Sequence, residues 1–302
     1  MSFTVGPVRE EAELAGRPDV VLIAGPTASG KSALAIARAR ALGGVVVNAD
    51  SMQVYDGLRI VTARPDHDDL AAVPHMLYGH VPPERSHSVA RWLEEASRVY
   101  GQLREEGRVP VFVGGTGLYF AALVKGISDI PEPAAEIRRY WRQRGLEAPQ
   151  GLHMALQKRD PEAAALLRPS DVQRIIRALE VFDTTGKSIH QFHRESADHS
   201  LLASASIEAH LVSPPRAELH ARINQRFDMM MAAGALGEVE MLLERDLPDS
   251  LPVMKAIGVP HLSEYIRGKM PLNTAIERSK AASRQYAKRQ STWFRHQLTG
   301  LF

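Results

Sequence analysis

The chain has 302 residues, 44% hydrophobic and 24% charged, with a formal net charge of +2. That composition fits a globular protein with one large or two smaller cores, and near-neutrality means that any nucleic-acid surface must come from local clustering. The lack of cysteine excludes disulfides, thiolate zinc sites and cysteine nucleophiles. No apolar run is long enough to span a bilayer, so a cytoplasmic protein without membrane contact is expected.

Residues 1–16 carry Glu10, Glu11 and Glu13 and no apolar signal core, and they read as a tail. The apolar run Val20-Val21-Leu22-Ile23 predicts a buried strand, and Ala33 to Ala37 the start of a helix. Between them stands Gly25-Pro26-Thr27-Ala28-Ser29-Gly30-Lys31-Ser32, the pattern G-x-x-x-x-G-K-[ST] in its strand-to-helix context. Glycines let this backbone turn its N–H groups inward, and the helix dipole adds to the anion cradle. Lys31 contributes a mobile cation, and the Ser32 hydroxyl is a candidate ligand for a phosphate-bound magnesium ion. The motif says that phosphates bind without saying what carries them.

Val45 to Asn48 predicts a second buried strand, and Asp50-Ser51-Met52-Gln53 follows at its carboxyl end, where open parallel sheets bind ligands. Position alone leaves Asp50 three readings: a magnesium-holding carboxylate, a general base beside the phosphates, or a cap for the next turn. Residues 56–87 are proline-rich and read as loops. Ser88 is placed as the N-cap of an amphipathic helix over Val89 to Glu106, stopped by Gly107. Val109 to Val113 predicts a third strand. Gly114-Gly115-Thr116-Gly117 then makes a second strand–glycine turn–helix unit at the same edge.

From residue 129 to 202 the pattern turns helical, with pieces over Ala134 to Arg144, Gly151 to Lys158, Pro161 to Leu167 and Asp171 to Asp183. This segment is expected to be a helical insertion into a core made of 17–128 and 203–302. Its arginines are either a solvated face or a hold for nucleic-acid phosphates. Ile207 to Val212 returns as a strand. Arg222 and Arg226 share a face of the following helix, and Met229, Met230 and Met231 read as core filler. In the last helix, Asn273 to Leu298, Lys280, Arg284 and Lys288 form a basic stripe extended by Arg289 and Arg295, which reads as a phosphate-tracking surface. The expected fold is therefore α/β: a P-loop NTPase-like parallel sheet flanked by helices, with a mostly helical insertion domain.

The ordered set of Gly25 to Ser32, Asp50 to Tyr55, Gly114 to Tyr119, Gln173-Arg174 with Arg177 to Val181, and Arg284 to Gln290 with Thr292 to Phe294 resembles the bacterial tRNA dimethylallyltransferase (tRNA isopentenyltransferase) family. The resemblance runs from about Val20 to the C-terminus. It implies transfer of a dimethylallyl group from its diphosphate to the exocyclic amine of adenosine 37 in the tRNA anticodon stem-loop. The diphosphate would lie on Gly25 to Ser32 with Arg226. Asp50 would be the base, Thr116 would bind the leaving oxygen or help position the base, and Lys31, Arg226 and magnesium on Ser32 would neutralise the leaving group. The implied tRNA contacts are Asp50, Ser51, Met52, Gln53, Thr116, Arg138, Gln173, Arg174, Ile175, Ile176, Arg177, Lys255, Ala256, Ile257, Gly258, Val259 and Pro260, on a monomeric enzyme.

The chain departs from the family pattern at Arg64, commonly lysine, and at Val259-Pro260, where an aromatic is usual. The rival readings of the P-loop are a small-molecule kinase and a nucleic-acid-dependent NTPase. Against the NTPase stands the lack of a second strand ending in a carboxylate.

Overall fold

A computed structural model of the chain describes residues 16–195, 200–298 and 300–301. It divides into two compact units, Val124–Leu201 and the remainder of the chain; the expected insertion boundaries were 129 and 202. The expected tail falls outside the described residues except for Gly16.

The larger unit begins with β1 (Val20–Ala24), α1 (Lys31–Leu42), β2 (Val45–Asn48), α2 (His67–Ala72), β3 (His75–Met76), α3 (Val89–Glu105), β4 (Pro110–Gly114) and α4 (Gly117–Lys125). It resumes with β5 (Ile207–Leu211) after the helical unit. The five strands form one sheet in the order β3-β2-β4-β1-β5, with every pairing parallel. All residues of β1, β2 and β4 are buried, which is why they read as continuous apolar runs: a parallel sheet is covered on both faces. β5 is an edge strand, only partly buried. Its Glu208 takes a paired contact from Arg38 of α1, fastening helix to edge.

The strand order creates the site. β4 lies between β2 and β1, so the turns leaving all three carboxyl ends meet at one edge. Helix α3 holds that edge from behind. Ser88 caps it by accepting the Arg91 N–H at 3.2 Å, Trp92 donates to the Asn48 carbonyl at the end of β2 at 3.0 Å, and the same indole stacks on Tyr119 of α4 at 4.0 Å. Two short elements, α2 and β3, stand in the segment read as loop; six and two residues are too few to show a period.

The helical unit contains α5 (Ala135–Glu147), α6 (Leu152–Arg159), α7 (Pro161–Leu166), α8 (Val172–Thr185) and α9 (Ile189–Glu195); the last had no counterpart in the sequence reading. Its own core gathers Trp141, Leu152, Leu156, Ile175 and Leu179. The Trp141 indole donates to Asp183 at 2.8 Å, and Arg159 both pairs with Asp183 and lies over the indole.

The chain ends with α10 (Arg216–Ala232), α11 (Ala235–Leu243), α12 (Val259–Ile266) and α13 (Leu272–Gln297). Here two expectations are corrected. Of the three methionines only Met230 is buried, while Met229 is 62% exposed; consecutive helical positions point 100° apart and cannot all face one core. The basic stripe also does not act as one surface. Lys280 is buried and pairs with Asp228 of α10 at 2.8 Å, and Arg284 donates to Asn224 of α10. Only Lys288, Arg289 and Arg295 are exposed.

Candidate active site

The turn after β1 is an open cradle. Gly30 sits at φ +95°, a left-handed conformation that glycine adopts without strain, and Ala28 is held at φ +62°. Lys31 is partly buried at the start of α1, and its Nζ donates to the Pro26 carbonyl at 3.2 Å. Burial pushes its ammonium down to about 8, opposed by the Asp50 carboxylate and helped by the Arg226 cation. Both arginines predicted to share a face of α10 reach this turn: Arg222 donates to the Ser29 carbonyl at 3.3 Å and Arg226 to the Thr27 hydroxyl. Burial also lowers the Arg226 guanidinium, with Asp50 partly restoring it. Two poorly solvated cations thus stand at this turn, a setting that suits a polyanion.

Asn48, at the end of β2, is fully buried and organises the second turn. Its side chain accepts the Asp50 N–H at 2.8 Å and donates to the Asp50 and Leu77 carbonyls, each at 3.0 Å. Asp50 Oδ1 accepts the Met52 N–H at 3.0 Å; among the described residues Oδ2 has no hydrogen-bond donor. The carboxylate is therefore aimed by its own backbone with one oxygen left for chemistry.

The third turn closes on the second. Thr116 Oγ1 accepts the Ser51 N–H at 2.9 Å and donates to the Ser51 hydroxyl at 3.2 Å. The buried Gln290 side chain of α13 ties this turn to the cradle, accepting the Thr27 N–H at 3.0 Å and donating to the Gly115 carbonyl at 2.9 Å. The next glycine is needed for a different reason: a Cβ on Gly117 would lie 2.0 Å from the Trp293 ring of α13.

A cavity of about 270 Å³ joins Thr27, Asp50, Ser51, Met52 and Arg226 to an apolar wall of Ile223, Phe227, Met230 and Ile257. Lys255, Ala256 and Tyr286 also line it; Thr116, Gly258, Val259 and Pro260 do not. Burial and the nearby Asp50 charge push the Tyr286 phenol well up, so it stays a neutral hydroxyl. Val61 and Thr62 of the wall are positioned by the buried Glu238 of α11, whose carboxylate accepts the N–H groups of Arg59, Ile60 and Val61 at 2.5, 2.9 and 2.8 Å. Sequence reasoning missed Tyr286 and Glu238. A glutamate inside a helix reads as a surface charge, and only a run of unpaired amides opposite it reveals the role.

Ser32 lies exposed in the first turn of α1 and lines a recess of about 30 Å³ with Gln53 and Asp69. Of these, the Ser32 hydroxyl is a hard oxygen donor of the kind magnesium takes. The Gln53 amide nitrogen is committed to the Thr62 and Ala63 carbonyls at 2.8 and 3.0 Å. In the helical unit, Arg138 pairs with Glu132 at 3.1 Å, Arg174 with Asp171 at 3.3 Å, and Arg142 and Arg177 with the buried Glu180 at 3.6 and 3.9 Å. Gln173, Ile175 and Ile176 stand on α8 with Arg174 and Arg177; Ile175 is buried in that unit's core.

Known proteins resemble this chain over most of its length. The IPP transferase family model matches residues 53–297, and an isopentenyl transferase model matches residues 18–78. The tRNA dimethylallyltransferase of Rhizobium meliloti (strain 1021) is 52% identical over 281 residues, 93% of this chain and 92% of the relative. That of Agrobacterium fabrum (strain C58 / ATCC 33970) is 50% identical over 93% of this chain and 94% of its own length. Among solved structures, the tRNA isopentenylpyrophosphate transferase of Bacillus halodurans aligns over 92% of this chain and 87% of its own, with 35% identity and a TM-score of 0.65. A eukaryotic dimethylallyltransferase acting on tRNA aligns over 91% of this chain and 69% of its own, with 29% identity and a TM-score of 0.78.

Proposed function

We propose that this chain, which belongs to the IPP transferase family, transfers a dimethylallyl group from dimethylallyl diphosphate to the exocyclic amine of adenosine 37 in tRNA. The observation that carries this reading is the cavity that Asp50 shares with Thr27 of the P-loop turn and the Arg226 cation bonded to it. In the transfer, the amine nitrogen forms a bond to the allylic carbon while the C–O bond to the diphosphate breaks. The amine proton passes to Asp50 Oδ2, and diphosphate leaves.

Each residue has a task. The turn Gly25 to Ser32, with Lys31 and Arg226, holds the diphosphate and stabilises the charge that grows on it as the C–O bond breaks. Thr116, bonded to Ser51, fixes the turn that carries Asp50 and offers its hydroxyl to the reacting groups. Ile223, Phe227, Met230 and Ile257 shield the prenyl tail from water. The Ser32 hydroxyl is fit to ligate a magnesium ion, which when bound supplies further positive charge at the diphosphate. An adenine paired in a duplex would hide its amine, so the target base has to come from a loop and be extruded into the cavity. Arg138 and the α8 residues Gln173, Arg174, Ile176 and Arg177 are the contacts we assign to the anticodon stem-loop, and Lys255 and its neighbours line the entry for the base. The exposed Lys288, Arg289 and Arg295 add phosphate contacts. We take the enzyme to act as a monomer in the cytoplasm.

The reading is tested by incubating the protein with unmodified tRNA, magnesium and dimethylallyl diphosphate labelled in its allyl group, with no nucleoside triphosphate present. Label should enter the tRNA at the adenosine beside the anticodon, with one diphosphate released per transfer. No incorporation, or incorporation only when ATP is added, contradicts it.

A further inference from the structure

On the face of the sheet covered by α3, away from the Asp50 cavity, three side chains with metal-ligand chemistry converge. Glu95 lies in the second turn of α3, His87 directly precedes the Ser88 cap of that helix, and His80 begins the loop that leads to it. Glu95 Oε2 stands 2.9 Å from His80 Nε2 and 3.2 Å from His87 Nε2. All three ligand atoms fall within 4.8 Å of one another, and the two rings lie edge to face, 88° apart. Ligand bonds of about 2.0–2.1 Å to a tetrahedral zinc ion place neighbouring ligand atoms ~3.3 Å apart, so small rotations would seat an ion between these groups.

The surroundings favour ligation over solvent exposure. The His87 side chain is 4% exposed, Glu95 23% and His80 30%. Nδ1 of His87 is buried without a partner among the described residues, so that ring has its polar engagement through Nε2 alone. The loop is already tied to the stretch leading away from Asp50: the His87 N–H donates to the Tyr55 hydroxyl at 3.1 Å, and Val81 exchanges backbone bonds with Val54 and Asp56, each at 2.9 Å.

We propose that His80, His87 and Glu95 form a three-ligand site for a divalent transition metal of the zinc class, with water in the fourth position, which cross-links the 80–87 loop to α3. Two nitrogens and one oxygen suit zinc, cobalt or nickel and are poor ligands for magnesium, which prefers oxygen. The site is separate from the transfer chemistry, since none of its residues lines the Asp50 cavity. Its effect is on the stability of the loop that backs the Asp50 turn.

The test uses the full chain, purified without a histidine tag and stripped with a chelator. Titration with zinc should give one ion per chain, unaffected by a hundredfold excess of magnesium. Cobalt should give the intense visible absorption of a four-coordinate ion. At a zinc concentration a hundred times Kd, Tm should rise by roughly 4 °C. His80→Ala, at the surface, and Glu95→Gln should each abolish the Tm rise and the cobalt spectrum while leaving the metal-free transfer rate within twofold. His193→Ala, on α9, should change neither signal. Absence of stoichiometric zinc binding, displacement by magnesium, or binding that survives both site variants would show that the cluster is a hydrogen-bonded triad and overturn the proposal.

Discussion

The turn after β1 and the turn after β4 share one grammar, a buried strand, a glycine-rich bend and a helix, yet they use glycine for opposite ends. In the first, Gly30 supplies a left-handed backbone, and Lys31, Arg222 and Arg226 bring three cations onto the bend. In the second, Gly117 supplies proximity: the Trp293 ring of α13 occupies the space a side chain would need. One turn is shaped for a ligand that arrives, the other for a helix that is already there. Asp50 stands between them, aimed by Asn48 and braced through Ser51 by Thr116.

The comparison is broken most severely at Asp50. Asp50→Ala should lower the single-turnover transfer rate by about 10²–10⁴-fold, the usual worth of a positioned proton acceptor, with diphosphate affinity retained. A loss below tenfold would remove the carboxylate from the chemistry. Next comes Lys31→Ala, which should slow transfer by on the order of a hundredfold. It should leave Tm unchanged or slightly raised, because a cation whose charged form is disfavoured by burial contributes nothing to folding.

The pH dependence sharpens the same point. The folded-state value for Lys31 is about 8, below its ordinary 10.5. The burial penalty on its charged form is therefore present in full below pH 8 and shrinks as pH rises from 8 to 10.5. The charge itself, which diphosphate needs, is lost over the same rise. Affinity for diphosphate, measured by calorimetry and normalised to Lys31→Arg, should be flat below pH 8 and fall by at most about tenfold per unit above it. A flat ratio up to pH 10 would mean that the lysine is not poised. The smallest effect belongs to the second turn: Gly117→Ala should destabilise by about 1–3 kcal/mol through overpacking against Trp293, seen as a lower Tm.

Much of this was legible in the sequence because parallel-sheet strands buried on both faces leave unbroken apolar runs, and because the P-loop is bound to its context. The caps Ser88 and Gly107 also showed themselves. What was hidden depends on strand order and on partners far along the chain. Nothing local says that β4 inserts between β1 and β2 and so sets Thr116 beside Asp50. Nothing near Glu238 in the sequence says that its carboxylate accepts the loop amides of Arg59 to Val61. Lys280 and Arg284 looked like a nucleic-acid surface until α10 was seen to answer them with Asp228 and Asn224. A stripe of like charge fixes a helix face but not what that face meets.

The most direct measurement is the binding of inorganic diphosphate, with Tm recorded on the same samples, for the native chain, Lys31→Ala and Gly117→Ala. The two variants should separate cleanly: Lys31→Ala losing at least tenfold in affinity at unchanged or higher Tm, and Gly117→Ala keeping affinity within twofold while its Tm falls by several degrees. Full affinity in Lys31→Ala, or a collapse of affinity in Gly117→Ala at native Tm, would contradict the division of labour between the two turns.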